Sequence, residues 1–200
     1  MSKNARLSLI IVAVVAVVIA GFIFFSRNTN TTAAPQSADG KVTVVEYLDL
    51  ECPSCRAAHP GVQKLKAEYG ERVSFDVRHF PIPSHRNAEL AAVAVEAAGA
   101  QGKRDDMFKL MFDAQQEWGG QQTSQRAVFV GFAQQLGLDL AAFEKALGDS
   151  ALRERVLAQR AEGSKAGVQG TPTFFINGTK FSGAPSYENL KTAIDQELSR

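Results

Sequence analysis

The stretch VTVVEYLDLECPSC, residues 42–55, decides the fold. The apolar and β-branched run Lys41–Leu50 predicts a buried strand, and the pattern from Cys52 to about Tyr69 predicts a helix. Cys52 and Cys55 are the only cysteines in the 200 residues, and they stand at this strand–helix junction. Unpaired backbone N–H groups at a helix N-terminus stabilise an anion, so the pKa of a thiol placed there falls. The junction therefore predicts a reactive thiolate with a second thiol close enough to form a disulfide.

Beyond the first helix, strand patterns enclose a long helical block. Arg72–Phe80 alternates apolar and polar side chains and predicts a second strand, which a right-handed crossover places parallel to the first. Residues 84–167 show only helical patterns and predict an inserted helical subdomain that covers the sheet. Thr173–Ile176 predicts a later strand, and Asn177-Gly178 is the strongest two-residue signal for a hairpin. Residues 187–198 predict a closing amphipathic helix.

The first 40 residues predict a membrane anchor followed by a tether. Residues 7–25 (LSLIIVAVVAVVIAGFIFF) carry no charge and as a helix would span roughly 28 Å, enough for the hydrocarbon core of a bilayer. Residues 1–6 are basic and predict a cytoplasmic tail, so residues 41–200 would form a domain on the periplasmic or extracellular face of the cell membrane. Residues 26–40 are rich in Ser, Thr and Asn and predict a flexible linker. A cleaved signal peptide is the alternative, and it also exports the domain.

The composition is that of a globular protein, with 45% apolar and 22% charged residues. The formal net charge of +1 gives no bulk attraction to nucleic acid, so we expect no nucleic-acid partner. The paired cysteines can carry electrons themselves, and no cofactor is therefore expected. The length allows one ordinary domain besides the N-terminal segments, with no visible dimerisation segment, which predicts a monomer.

The histidines are possible metal ligands together with the cysteines. His59 follows Cys52 and Cys55 on one face of the predicted helix, which could form a Cys₂His site. Pro60 predicts a kink or break in the helix at that position, and no fourth ligand is evident, so we expect no metal. The other two histidines are predicted to be surface or loop-packing groups: His79 and His85.

Four features resemble those of thioredoxin-fold thiol–disulfide oxidoreductases, and among these the DsbA-like proteins. They are Cys52-Pro53-Ser54-Cys55 at a strand–helix junction, an acid six residues before the first cysteine (Glu46), the pair Thr171-Pro172 opening a late strand, and the helical insertion. The resemblance covers residues 41–200. It implies an α/β thioredoxin fold with an inserted helical subdomain, and an enzyme outside the cytoplasm that acts on protein disulfides.

Each of these residues has a predicted role. Cys52 is the nucleophile that forms a mixed disulfide with a substrate thiol, and the deeper Cys55 resolves that bond in the reductive direction. The resemblance implies a cis bond in Thr171-Pro172, whose turn presents the Thr171 backbone to a substrate strand. Strand alternation can place Glu46 under Cys55, where a buried carboxylate with a raised pKa would exchange protons with that thiol. The alternatives are a purely structural disulfide, a trans proline at a strand start, and a surface acid on an edge strand.

Neighbouring residues are expected to tune the thiol pair. Pro53 and Ser54 lie between the cysteines, and Ser54 stands where the best-known oxidant of the family has a histidine that can stabilise the thiolate. Glu51 adjoins Cys52 and its charge opposes the thiolate, whereas the charge of Arg56 favours it. These features predict a reduction potential between about −270 mV and −120 mV, the values of thioredoxin and DsbA.

The combined interpretation is an extracytoplasmic oxidoreductase that donates disulfides to folding exported proteins with free thiols. By resemblance, a quinone-linked oxidase in the membrane would reoxidise it. One alternative keeps the fold and reverses the electron flow, giving a disulfide reductase or isomerase supplied by a thiol reductant. A second alternative is a metal-binding module that uses Cys52, Cys55 and His59.

Overall fold

The computed structural model describes residues 41–200. The predicted tail, anchor and linker, residues 1–40, lie outside the described residues. Within residues 41–200, no helix combines the length and the apolar character that a membrane span requires. The elements follow in this order: β1 (Val42–Leu48), α1 (Pro53–Tyr69), β2 (Val73–His79), α2 (Ala88–Gly99), α3 (Arg104–Asp113), α4 (Gln115–Trp118), α5 (Arg126–Gln135), α6 (Leu140–Leu147), α7 (Ser150–Lys165), β3 (Thr173–Ile176), β4 (Thr179–Lys180) and α8 (Tyr187–Leu198).

The described strands form a four-stranded sheet with the order β2-β1-β3-β4. β1 and β2 pair in parallel along their full lengths, which confirms the arrangement expected from a crossover through α1. β3 runs antiparallel to β1, with Thr173 opposite Tyr47. β1 is therefore an inner strand with a neighbour on each side, and every one of its residues is buried.

The hairpin between β3 and β4 confirms the prediction made from Asn177-Gly178. Both residues have positive φ angles, 47° for Asn177 and 75° for Gly178. A type I′ turn requires positive φ at both central positions, which asparagine and glycine adopt most readily. Asn177 Nδ2 also donates a hydrogen bond to the Glu197 carboxylate in α8 at 2.9 Å, which attaches the turn to the closing helix.

Alternate side chains of β1 enter different parts of the core, as the pleat of a strand requires. Val44 packs in a cluster with apolar residues of α1 and α8. Tyr47 packs on the opposite face, in edge contact with Phe80 and Phe175. Leu48, at the end of the strand, belongs to a third cluster that continues into the helical block. Helices thus cover the sheet on both faces.

Helices α2–α7 follow one another between β2 and β3, in the part of the chain where the sequence predicts an inserted helical subdomain, residues 84–167. Its core consists of large buried side chains from successive helices: Met107, Met111, Trp118, Phe129 and Phe143. The last of these helices, α7, packs against β2. Gly163 allows this close approach, because a Cβ there would lie 2.7 Å from Tyr47 Cε1 and 2.9 Å from Phe80 Cδ2.

Helix α1 runs unbroken from Pro53 to Tyr69 with Pro60 inside it, so a break at Pro60 is ruled out. The proline removes one backbone hydrogen bond from the helix interior. Val62 and Leu65, beyond the proline, are buried in the cluster under α1. Tertiary packing of this apolar face holds the second half of the helix in place despite the missing bond.

Candidate active site

Cys52 and Cys55 lie at the junction of β1 and α1. Cys52 is the N-cap residue of α1, and Pro53 occupies the first turn, where its missing N–H would have had no helical partner. Both cysteines are free thiols. Cys52 retains 7% exposure and Cys55 has none, so Cys55 is the deeper of the two, as predicted. Pro53 and Ser54 are exposed beside them.

The pKa of the Cys52 thiol is lowered from its ordinary value of 9.0 to about 5. The largest cause is a hydrogen bond from the Cys55 thiol, while burial acts in the opposite direction. The Thr171 side chain and the backbone N–H groups of Cys55 and Ser54 stabilise the thiolate further. The predicted direction is confirmed, and Cys52 is a thiolate at neutral pH when the pair is reduced.

The pKa of the Cys55 thiol is raised instead. Burial is the largest cause, followed by the hydrogen bond to Cys52, and the charges of Cys52 and Glu46 act in the same direction. One sulfur therefore carries the negative charge while the other keeps its proton. A pair with this asymmetry has a defined attacking sulfur and a defined proton-bearing sulfur.

The turn before β3 lies against Cys52. The peptide bond between Thr171 and Pro172 is cis, as the resemblance implies. The Cys52 thiol donates a hydrogen bond to the Thr171 carbonyl oxygen, with 3.4 Å between Sγ and O. The Thr171 hydroxyl is buried and has no partner while Cys52 is a thiol. That hydroxyl is therefore available to donate to the thiolate once it forms, which explains its part in lowering the pKa.

Glu46 is buried in the middle of β1, with 5% exposure. It lies between Val77 of β2 and Phe174 of β3 in the sheet. Burial raises the pKa of its carboxyl to about 7, and the positive charge of Lys66 opposes this shift. The buried location expected from strand alternation is confirmed, and the surface alternative is wrong. A carboxyl that titrates near neutral pH beside a buried thiol can hold or release a proton there.

Comparison with known proteins identifies the family. A family model described as Thioredoxin matches residues 30–196. The chain belongs to this thioredoxin family. It is similar to a thioredoxin-like oxidoreductase from Silicibacter pomeroyi DSS-3, with 25% identity and a TM-score of 0.67 over 86% of this chain and 99% of that one. Its fold is similar to that of alpha-DsbA1 from Wolbachia pipientis, with 21% identity and a TM-score of 0.72 over 82% and 89% of the two chains.

The chain thus combines the fold of the thioredoxin family with two free thiols at the junction of β1 and α1. Its curated relatives are much longer proteins. The Na(+)/H(+) antiporter NhaA 1 of Salinispora arenicola (strain CNS-205) is 36% identical over 157 residues, which is 78% of this chain and 23% of the antiporter. The antiporter NhaA of Herminiimonas arsenicoxydans is 34% identical over 162 residues, 81% of this chain and 24% of that protein. The chain thus spans about a quarter of the length of the curated relatives it matches.

Glu51 attaches the thioredoxin-family active site to the helical insertion. The sequence predicts that its charge opposes the Cys52 thiolate, but it is not among the leading causes of the Cys52 shift. It is 3% exposed, and its carboxylate accepts hydrogen bonds from the backbone N–H groups of Asn87 at 2.7 Å and Gly120 at 2.9 Å. These partners lie far along the chain, so the residue next to the cysteine holds two distant loops beside it.

Gln115 makes a second attachment that sequence reasoning missed. Its side-chain amide is buried and donates hydrogen bonds to the carbonyl oxygens of Leu50 at 2.6 Å and Cys52 at 3.0 Å. The Cys52 carbonyl also accepts the Arg56 backbone N–H at 3.2 Å, so Gln115 binds this oxygen in addition to the first hydrogen bond of α1. A glutamine in a glutamine-rich segment carries no sequence signal of burial, so only the folded chain reveals this role.

The two histidines predicted to be surface or loop-packing groups differ from each other. His79 is buried, and its Nε2 lies 2.7 Å from a Glu96 carboxylate oxygen that also accepts a hydrogen bond from Arg104 at 2.9 Å. Burial would raise the pKa of Glu96, but these two partners outweigh it and lower that pKa to about 2. The prediction is therefore wrong for His79. His85 does lie in a loop, where its Nδ1 is 2.7 Å from the buried Asp49 carboxylate.

Within residues 41–200, no group of three or more His, Cys, Asp or Glu side chains is arranged to hold a metal ion. His59 packs against the aromatic rings of Phe108 and Phe112, with centroid distances of 5.7 and 4.7 Å. Burial in this apolar setting lowers the pKa of His59. The described residues therefore give no support to the Cys₂His alternative.

Proposed function

We propose that this chain is a DsbA-like thiol–disulfide oxidoreductase, which donates its Cys52–Cys55 disulfide to folding exported proteins outside the cytoplasm. The observation that carries the proposal is the setting of Cys52, at the N-terminus of α1 and against the Thr171 turn and the Cys55 thiol, which lowers the Cys52 pKa to about 5. The thiolate exists only in the reduced pair, so whatever stabilises it favours reduction and makes the disulfide more oxidising. At pH 7, lowering the pKa from 9.0 to about 5 stabilises the reduced pair by about 3 kcal/mol, or about 60 mV. Such a pair transfers its disulfide to a substrate more readily than a cysteine pair whose thiols have ordinary pKa values.

The proposed reaction passes two electrons from a substrate dithiol to the cysteine pair. A substrate thiolate attacks Cys52 Sγ, the Cys52–Cys55 bond breaks, and Cys55 leaves as a thiolate that takes up a proton. A second substrate thiolate then attacks the substrate sulfur of the mixed disulfide and releases Cys52 as a thiolate. The substrate gains a disulfide and loses two thiol protons. One of these equals the proton that Cys55 gains, and the other is released to solvent because Cys52 stays a thiolate.

Glu46 and the cis-proline turn have separate roles in this proposal. Glu46 supplies the proton that Cys55 takes up, and its pKa of about 7 suits a group that must give and regain a proton near neutral pH. The turn at Thr171-Pro172 offers backbone groups beside Cys52, with which an extended substrate segment can pair as an added strand. Pro53 and Ser54 are exposed next to the sulfur and set the access to it.

The protein needs an electron acceptor to work repeatedly. We propose a quinone-linked membrane partner as the oxidant, on the ground of the family resemblance and of the apolar residues 7–25, which would hold the domain at the membrane surface. The domain would act as a monomer without a bound cofactor, because the two sulfurs hold both electrons. A thiol reductant in place of the oxidase would reverse the flow and give the reductase or isomerase alternative.

The reduction potential of the full chain in glutathione buffers tests the direction of transfer. We expect a value well above the roughly −270 mV of thioredoxin, together with oxidation of reduced ribonuclease that outpaces the reduction of insulin. Cys52→Ala should abolish both activities. A potential near that of thioredoxin with fast insulin reduction would overturn the donor assignment. Labelling of Cys52 on intact cells by a membrane-impermeant thiol reagent would test the location.

A further inference from the structure

An open cavity of about 370 Å³ adjoins the active-site thiols. Pro53 and Arg56 of α1 line one side of it, and Gln115 and Gly120 line another. Pro53 follows Cys52 directly, and Gln115 donates a hydrogen bond to the Cys52 carbonyl. A polypeptide joined to Cys52 by a disulfide therefore has the residues next to its own cysteine within reach of this cavity.

Arg56 is the unsatisfied group on the wall of this cavity. Its Nε is buried and has no hydrogen-bond partner. The ion pairs formed by arginines in residues 41–200 involve other arginines, and no carboxylate there lies against Arg56. A guanidinium whose buried N–H lacks an acceptor is unfavourable unless something else supplies one.

The other titratable groups that line the cavity already have partners. Both carboxylate oxygens of Glu51 accept backbone N–H groups, and Glu51 is 3% exposed. His85 is held by the Asp49 carboxylate. Neither group forms an ion pair or a hydrogen bond with the Arg56 side chain. The cavity thus presents an unpaired cation toward whatever enters it.

We propose that the cavity receives an aspartate or glutamate side chain of the polypeptide bonded to Cys52. Arginine binds a carboxylate through paired, charge-assisted hydrogen bonds, and the half-buried Arg56 guanidinium on the wall of the cavity can donate them. This inference rests on the proposed function, because the acid belongs to a protein substrate. It makes Arg56 a specificity-determining residue that favours cysteines with a neighbouring acid.

Matched dithiol peptides test this inference on the full chain. One peptide carries glutamate next to its first cysteine, a second carries glutamine and a third carries lysine. Because the neighbouring charge also changes the peptide thiol itself, each rate with the oxidised protein is divided by the rate of the same peptide with oxidised glutathione. We expect the wild type to oxidise the glutamate peptide about three- to tenfold faster than the glutamine peptide.

Substitutions at Arg56 identify the residue responsible. Arg56→Gln should reduce that preference to none, and Arg56→Glu should reverse it toward the lysine peptide, an effect that loss of packing alone cannot produce. Arg155→Gln removes the same charge from an exposed position on α7 and should retain the preference. If Arg56→Gln fails to fold, Arg56→Lys, which keeps the charge, should still favour the glutamate peptide over the lysine peptide.

The outcomes separate this inference from the proposed function. Equal normalised rates for the glutamate and glutamine peptides in the wild type would overturn the carboxylate site while leaving disulfide donation intact. An equal preference in the wild type and Arg56→Gln would do the same. Failure of the wild type to oxidise any of the peptides would overturn the proposed donor function itself.

Discussion

Replacing Cys55 by alanine should raise the pKa of the Cys52 thiol. The hydrogen bond from the Cys55 thiol is the largest cause of the shift to about 5, and alanine removes this donor while keeping the backbone N–H of residue 55. A hydrogen bond to a charged group contributes about 1.5–3 kcal/mol, which corresponds to about one to two pH units. We therefore expect the titration midpoint of Cys52 to rise to about 6–7.

The ultraviolet absorbance of the thiolate, followed against pH in fully reduced protein, measures this midpoint directly. The rate of alkylation by iodoacetamide over the same pH range gives an independent value. Cys55→Ser is the matched control, because its hydroxyl can still donate a hydrogen bond to the Cys52 thiolate. It should titrate closer to the wild type than Cys55→Ala does. Coincident midpoints for the alanine and serine variants, or a wild-type midpoint near 9, would refute the reasoning.

Other substitutions test the groups around the thiols. Burial raises the pKa of Glu46 from 4.5 to about 7, so the folded wild type loses stability as the pH rises from about 4.5 to 7. The free energy of unfolding of Glu46→Gln should therefore rise relative to that of the wild type by up to about 3 kcal/mol over this range. Parallel pH profiles of urea unfolding for the two proteins would contradict this. Glu51→Gln sets an amide N–H against a backbone N–H and should lower the free energy of unfolding by about 1–3 kcal/mol, which an unchanged urea midpoint would disprove. Gly163→Ala forces a Cβ against Tyr47 and should destabilise the fold by about 1–3 kcal/mol, whereas Gly131→Ala, in open space on α5, should stabilise it by up to about 1 kcal/mol in the same thermal melts.

The framework could be predicted from sequence because its signals are local. The Asn177-Gly178 turn depends on the φ preferences of two adjacent residues, and the structure places Thr173–Ile176 as the strand that precedes it. The closing helix likewise begins after Ser186, whose hydroxyl accepts the Asn189 N–H at 3.2 Å. In each case the residues that decide the structure lie within a few positions of one another.

The attachments of the active site could not be predicted in this way. The sequence predicts a surface or loop position for His79 because nothing near it explains a buried imidazole. Glu96 and Arg104, in two helices beyond β2, provide the carboxylate and the cation beside it. From the sequence, Glu51 is expected to act on Cys52 through its charge. In the structure its carboxylate instead accepts hydrogen bonds from the backbone N–H groups of two distant loops. A charged side chain is buried only where it has partners, and the local sequence around it does not indicate which distant residues these partners are.

The pairing of β1 with β3 explains why the motif alone predicts only the direction of the Cys52 shift. The strands are antiparallel, so the chain leaving β1 after Leu48 and the chain entering β3 before Thr173 lie side by side, which brings the Thr171 carbonyl to Cys52. The same pairing fixes the face of the sheet on which Glu46 lies. A slip of one residue would turn Glu46 to the opposite face and move Thr171 off the thiol. The Cys55 thiol and the backbone N–H groups at the start of α1 make Cys52 acidic, and the strand register adds the distant Thr171 hydroxyl near Cys52 and the Glu46 carboxyl near Cys55.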